Sequence, residues 1–133
     1  MSFDWQKYLS LAKELSGKPV QGEESREAKL RSAISRAYYA VFHIAKDHAS
    51  SSPNPPDAST EATHKNVREW FKASPDKRVK RIGEDLGRLR VNRNRADYND
   101  DMGLLRELQK TTDEALKTAE YIITNIHSLS NKR

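Results

Sequence analysis

Apolar residues recur at intervals of three and four along most of the chain, and no stretch alternates apolar with polar positions as a half-buried strand would. Trp5, Tyr8, Leu9, Ala12 and Leu15 form the first stripe. It predicts a helix over about Phe3–Ser16, with Ser2 as its candidate N-cap and Gly17-Lys-Pro19 as its stop. Leu30, Ile34, Ala37/Tyr38, Val41 and Ala45 predict a longer helix over about Glu23–His48. Ser50-Ser-Ser-Pro-Asn-Pro-Pro-Asp-Ala-Ser59 breaks the pattern, because proline and serine there oppose regular structure, and a mobile loop over 50–60 is expected. A short helix follows over about Thr60–Ala73, with His64, Val67, Trp70 and Phe71 on or near its apolar side. Ser74-Pro75 reads as an N-cap followed by proline at the first helical position of a fourth helix, whose stripe is Val79, Ile82, Leu86 and Leu89. After a break at Tyr98–Asp101, a last helix over about Met102–Leu129 presents Leu104, Leu105, Leu108, Ala115, Leu116, Ala119, Ile122, Ile123 and Ile126. The expectation is an all-α bundle of four main helices plus a short extra one, forming one domain over residues 1–133.

The fourth stripe does not stop at Leu89. Its next positions are Arg93 and Ala96, so a guanidinium falls where an apolar side chain is expected. A guanidinium keeps its charge, and an inward-facing one needs a carboxylate, a phosphate or water within reach. Four arginines (Arg88, Arg90, Arg93 and Arg95) occupy eight residues there. Residues 75–95 hold eight basic and three acidic side chains, a difference of five, and this equals the net charge of +5 for the whole chain. Arg81, Arg88 and Arg95 recur every seven residues along one helix side. Such a stripe attracts phosphate backbones, although it also serves as an ordinary solvated face.

Composition narrows the chemistry. The absence of cysteine removes disulfides, thiolate catalysis and cysteine-based zinc sites. There is no apolar run long enough for a membrane helix and no basic-then-apolar start, so a cytoplasmic chain with no membrane association is expected. No glycine-rich phosphate loop exists; Gly83 and Gly87, four apart in a helical pattern, suggest close helix approach instead. Four scattered histidines without His-Glu-x-x-His spacing argue against a metal, and no cofactor is implied. Ser35 has no visible His–acid partners for nucleophilic work, and His127 reads as a surface residue.

Two segments carry a family resemblance. Ser35-Arg-Ala-Tyr-Tyr-Ala-Val-Phe-His43 resembles the SRAYYAxFH signature of small prokaryotic HEPN-domain proteins. Arg90-Val-Asn-Arg-Asn-Arg-Ala-Asp-Tyr98 is similar to the LRxxRNxADY ending of the same group. Asp4-Trp5 and Thr63-His-Lys-Asn-Val67 also fit its pattern, in the same order along nearly the whole chain. The resemblance implies a helical bundle, commonly a homodimer, that binds RNA or nucleotides and is often encoded beside a small nucleotidyltransferase. It further implies a toxin–antitoxin or defence role, and in many members a metal-independent ribonuclease. The active form of the group carries an Arg, a polar residue, four to six residues, then a His. Arg93 and Asn94 match the phosphate-binding half. The His positions hold Tyr98, Asn99 and Asp100 here, or Arg95, Ala96 and Asp97 when counted from Arg90, so the acid/base half is absent.

The site expected from these residues joins Arg93 to Arg36, Tyr39 and His43 in one polar groove, with His43 or His64 carrying the proton if cleavage occurs. Arg88, Arg90, Asn94 and Arg95 would widen the basic surface, and Tyr39 or Tyr98 would contact base or ribose. The alternatives are structural: both histidines partly buried and satisfied, Tyr38 in the core, Tyr98 capping it, and Asp97 neutralising Arg90 or Arg93 as an ion pair. A different function class also fits. The arginine segment would then serve a protein-interaction module that pairs with an acidic partner such as a nucleotidyltransferase subunit, or Arg36 or a tyrosine would be a target for nucleotide modification.

Overall fold

The computed structural model describes residues 4–17, 23–99 and 101–130, and among them there are five helices and no strand. These are α1 (Gln6–Gly17), α2 (Glu23–Ser50), α3 (Thr63–Lys72), α4 (Lys77–Tyr98) and α5 (Leu105–Ser130). The all-α bundle expected from periodicity is present. Helix α2 is its axis, packing against α1, α4 and α5, while α3 lies mainly on α4. Burying stripes from all five helices removes their apolar area from water, which is the main force holding such a bundle together. The core comprises Leu9 and Ala12 of α1, Leu30, Ile34, Tyr38, Val41 and Ala45 of α2, Val67 and Phe71 of α3, Ile82, Leu86 and Leu89 of α4, and Leu108, Ala119, Ile122 and Ile126 of α5.

The ends depart from expectation for local reasons. Ser2 and Phe3 lie outside the described residues; Asp4 does the capping at α1, its Oδ1 accepting from the Gln6 N–H at 3.0 Å. Helix α4 begins two residues later than Ser74-Pro75 suggests. Asp76 is its N-cap, accepting from the Arg78 N–H at 2.9 Å, while Ser74 Oγ accepts from the Asp76 N–H in the preceding turn. Helix α5 starts at Leu105 rather than Met102. Gly103 sits at φ +84°, a left-handed conformation that only glycine adopts freely, and Asp101 Oδ1 accepts its N–H at 2.8 Å. Leu104 is consequently outside the helix and 57% exposed, against its predicted place in the core. The Ser/Pro segment has no regular structure, but it is tied to α3: Trp70 Nε1 donates to the Asn54 carbonyl at 2.7 Å and Asn66 Nδ2 to the Asp57 carbonyl at 3.1 Å.

Gly83 explains how α3 approaches α4. A Cβ placed on it would stand 2.8 Å from both the Arg68 carbonyl oxygen and the Lys72 nitrogen, which leaves no room for a side chain. Gly87 is different, since its Cβ would meet only Arg68 Cδ at 3.8 Å, an ordinary contact.

Candidate functional site

Arg93 does follow Ile82, Leu86 and Leu89 into the interior, where it is only 8% exposed. Its charge is met by two kinds of partner. Asp97 Oδ2, one turn later, lies 3.6 Å from Nη1. The guanidinium also stands over the rings of Tyr38 and Tyr39, 5.2 Å from each centroid, and desolvated contacts of this type are worth about 2 kcal/mol. Its Nε is buried without a hydrogen-bond partner. Asp97 also accepts from Ser35 Oγ at 3.4 Å, so the ion pair links α4 to α2.

Beside this pair an open cavity of about 520 Å³ lies between α1, α2 and the end of α4, with Tyr8, Arg31, Ser35, Arg36, Tyr39 and Asp97 in its wall. Arg31 is held by the helix end it faces. Its Nη1 donates to the Ala96 carbonyl at 3.1 Å and to the Asn99 carbonyl at 2.5 Å, orphan acceptors at the C-terminus of α4. The guanidinium carbon of Arg36 sits 5.7 Å from the Tyr8 ring centroid, and its Nε is buried with no partner. Arg31 and Arg36 thus stand in a wall whose acidic member, Asp97, is already engaged with Arg93. Two guanidinium forks beside tyrosine rings suit a planar or tetrahedral oxyanion.

The expected groove forms in part. Arg36 and Tyr39 share the cavity wall and Arg93 lies over the Tyr39 ring, but neither Arg93 nor either histidine lines the cavity. His43 is stacked flat on Trp5, with centroids 3.7 Å apart and planes at 10°, and lies 6.5 Å from Tyr39. Burial lowers its pKa, helped by the charge of Lys46 and opposed by Asp47. His64 lies on the far side of Tyr38, stacked on Phe42 at 3.9 Å, and its Nδ1 shares a hydrogen bond of 2.5 Å with the Tyr38 hydroxyl. Burial first, then the charges of Arg93 and Arg90, push His64 down to about 4, while burial pushes Tyr38 up to about 12. Both groups are therefore neutral near pH 7. A histidine with so low a pKa is almost never protonated there, so it holds no proton to donate and is a weak base.

The remaining residues separate by helix face. Arg90 shares the Arg93 side, half-buried, with an unpartnered buried Nε. Arg88 and Arg95 lie about 140° and about 160° around the axis from Arg93, so they belong to the opposite surface. There Arg88 and Arg81 flank the buried Asp85 at 2.9 and 3.6 Å. Asp85 is pushed up by burial against the opposing pull of Arg81 and Arg88. Asn94 is half-buried about 100° from Arg93. Tyr98 is 73% exposed and does not cap the core, whereas Tyr38 is fully in it. Asp97 pairs with Arg93, not Arg90. Arg31 and Tyr8 were not legible as site residues; Arg31 shares a helix face with Ser35 and Tyr39, but only the position of the α4 terminus gives that face a role.

Among the described residues, no group of three His, Asp or Glu side chains is placed to hold a metal ion, and no helix is long and apolar enough to cross a membrane. No protein-family model, curated protein or solved structure matches the chain.

Proposed function

We propose that this chain is a HEPN-like module that binds the phosphates of RNA or a nucleotide, without cleaving it. One observation carries the reading: Arg31 and Arg36 stand in the wall of an open cavity with Tyr8 and Tyr39, Arg93 lies over the Tyr39 ring, and the acid in that wall, Asp97, is paired with Arg93. A phosphate there gains charge-assisted hydrogen bonds from Arg36 and Arg31, and a base or ribose finds the Tyr39 ring. Cleavage by a ribose 2′-hydroxyl requires a proton carrier titrating near neutrality and in reach of the phosphate; His64 is pushed down to about 4, and both His43 and His64 lie outside the cavity wall, which argues for binding alone. The homodimer, the nucleotidyltransferase-type partner, the cytoplasmic location and the toxin–antitoxin or defence setting rest on the motif resemblance.

The test is incubation of the purified protein with labelled tRNA and single-stranded RNA in EDTA, beside Arg93→Ala and Arg36→Ala. Binding without cleavage, weakened about tenfold by either substitution, is the expected result. Cleavage lost in His64→Ala would restore the ribonuclease reading. Absence of binding at low salt by folded protein would move the arginine segment to a protein interface.

A further inference from the structure

A separate cavity of about 640 Å³ opens where the last turns of α2, α3 and α5 meet the first turn of α4. Its wall holds His48, Pro53, Trp70, Pro75, Val79 and Leu129. Val79 here and Ala96 in the wall of the arginine cavity are 17 positions apart on α4, about 26 Å along its axis, so the two sites are independent. The volume falls within the range of about 300–1,000 Å³ usual for sites that take small organic molecules. Although 32% of the residues are charged, no Lys, Arg, Asp or Glu among the described residues lines this wall, whereas two arginines and an aspartate line the other. An ion buried here would find no counter-charge. Trp70, Val79 and Leu129 pack against the core yet stay half-buried, which leaves apolar surface for a ligand to cover. The wall is fixed before any ligand arrives: Trp70 is bonded to the Asn54 carbonyl and meets Phe71 edge-on, with centroids 4.9 Å apart at 83°.

The polar groups of the wall discriminate between occupants. Pro53 and Pro75 have no N–H, and the Asn54 carbonyl is taken by Trp70, so an extended peptide backbone finds few partners. Ser52 Oγ donates to the Ala49 carbonyl at 2.7 Å, and Ser74 Oγ accepts from the Asp76 N–H at 3.1 Å. His48 differs from these. Its ring stacks with Phe71 at 6.2 Å and meets Trp70 edge-on at 6.4 Å, but it makes no hydrogen bond or ion pair with any described residue. Burial lowers its pKa, so near pH 7 the imidazole is neutral and offers one donor and one acceptor nitrogen. We propose that this cavity binds an uncharged, planar aromatic small molecule, its rings against Trp70 and its one hydrogen-bonding group on His48.

The experiment is a heteronuclear NMR titration of the full chain at pH 7 with 2-naphthol, beside 2-naphthoate, which has the same rings and a negative charge. Saturable shifts of the Trp70 indole N–H and the His48 amide are expected at about 0.1–1 mM 2-naphthol, with the Trp5 indole unmoved. 2-Naphthoate should bind at least about tenfold more weakly. His48→Phe keeps a ring at the site and should weaken 2-naphthol about fivefold through the lost hydrogen bond. Ala73→Trp fills the cavity from an exposed position that leaves the core untouched, and it should abolish the shifts. Arg36→Ala, in the other cavity, should leave them unchanged. Absence of saturable shifts in the folded chain, binding undiminished in Ala73→Trp, or 2-naphthoate bound as tightly as 2-naphthol would each overturn the proposal. A dimer in sedimentation that Ala73→Trp dissociates would also overturn it, by giving the cavity to a second copy of the chain.

Discussion

Arg93 concentrates the physical problem of this protein in one side chain. A buried guanidinium is costly unless its charge is met, and here the answer is a carboxylate one turn away plus two aromatic faces. Asp97 therefore has two effects that oppose each other. It steadies Arg93, and it places negative charge in the wall of the cavity proposed to take phosphate. Asp97→Asn should tighten oligonucleotide binding several-fold and steepen its dependence on low salt, while lowering stability by about 1 kcal/mol. Parallel anisotropy and urea titrations read the two effects separately. Weaker binding by a folded Asp97→Asn would show that the carboxylate orients Arg93 for the ligand instead of competing with it.

Helix α4 shows how one element serves several surfaces. Ile82, Leu86, Leu89 and Ala96 hold it to the bundle, Arg90 and Arg93 arm one flank, and Arg81 and Arg88 enclose Asp85 on another. The basic periodicity of Arg81, Arg88 and Arg95 is thus real in sequence but belongs to a different face from Arg93. The two glycines make a sharper contrast. Gly→Ala in a helix interior is ordinarily favourable by about 1 kcal/mol. Gly87→Ala should show that gain, since its Cβ meets nothing closer than 3.8 Å. Gly83→Ala should cost about 1–3 kcal/mol, because backbone atoms of α3 occupy the space and must shift. Thermal unfolding of the two variants checks both signs, and equal effects would mean that α3 is not seated on Gly83 as described.

The whole molecule carries a pH signature set by its aromatic interior. His43, His48 and His64 all have pKa values lowered by burial, so the folded chain binds fewer protons than the unfolded one below about 6.5. Their contribution to stability is complete above that pH and is lost as pH falls toward about 4, where His64 finally protonates. Tyr38, raised to about 12, acts at the other end, its contribution lost as pH rises from 10 to 12. Asp85, raised by burial, opposes the histidines only within the carboxylate range. The midpoint of thermal unfolding should therefore fall by about 5 °C or more between pH 7 and pH 4.5. His64→Phe, which keeps the stack on Phe42, should show a shallower fall. An identical fall in the variant would remove His64 from the account.

Helical periodicity by itself determined the five helices, most of the core and the inward turn of Arg93, because a 3.6-residue repeat assigns each side chain a face. Caps such as Asp76 and the Gly103 turn were less legible, since several polar residues competed for each helix end. Periodicity also put Arg36, Tyr39 and His43 near one face of α2, yet it held no information on the neighbour each would meet and gave His64 no position relative to them. Only tertiary packing decided that His43 lies under Trp5, that His64 bonds Tyr38, and that Arg31 reaches the end of α4. Those placements depend on how helices distant in sequence cross one another. A one-dimensional repeat holds the rotation of each helix about its own axis, but not the partner that rotation will meet.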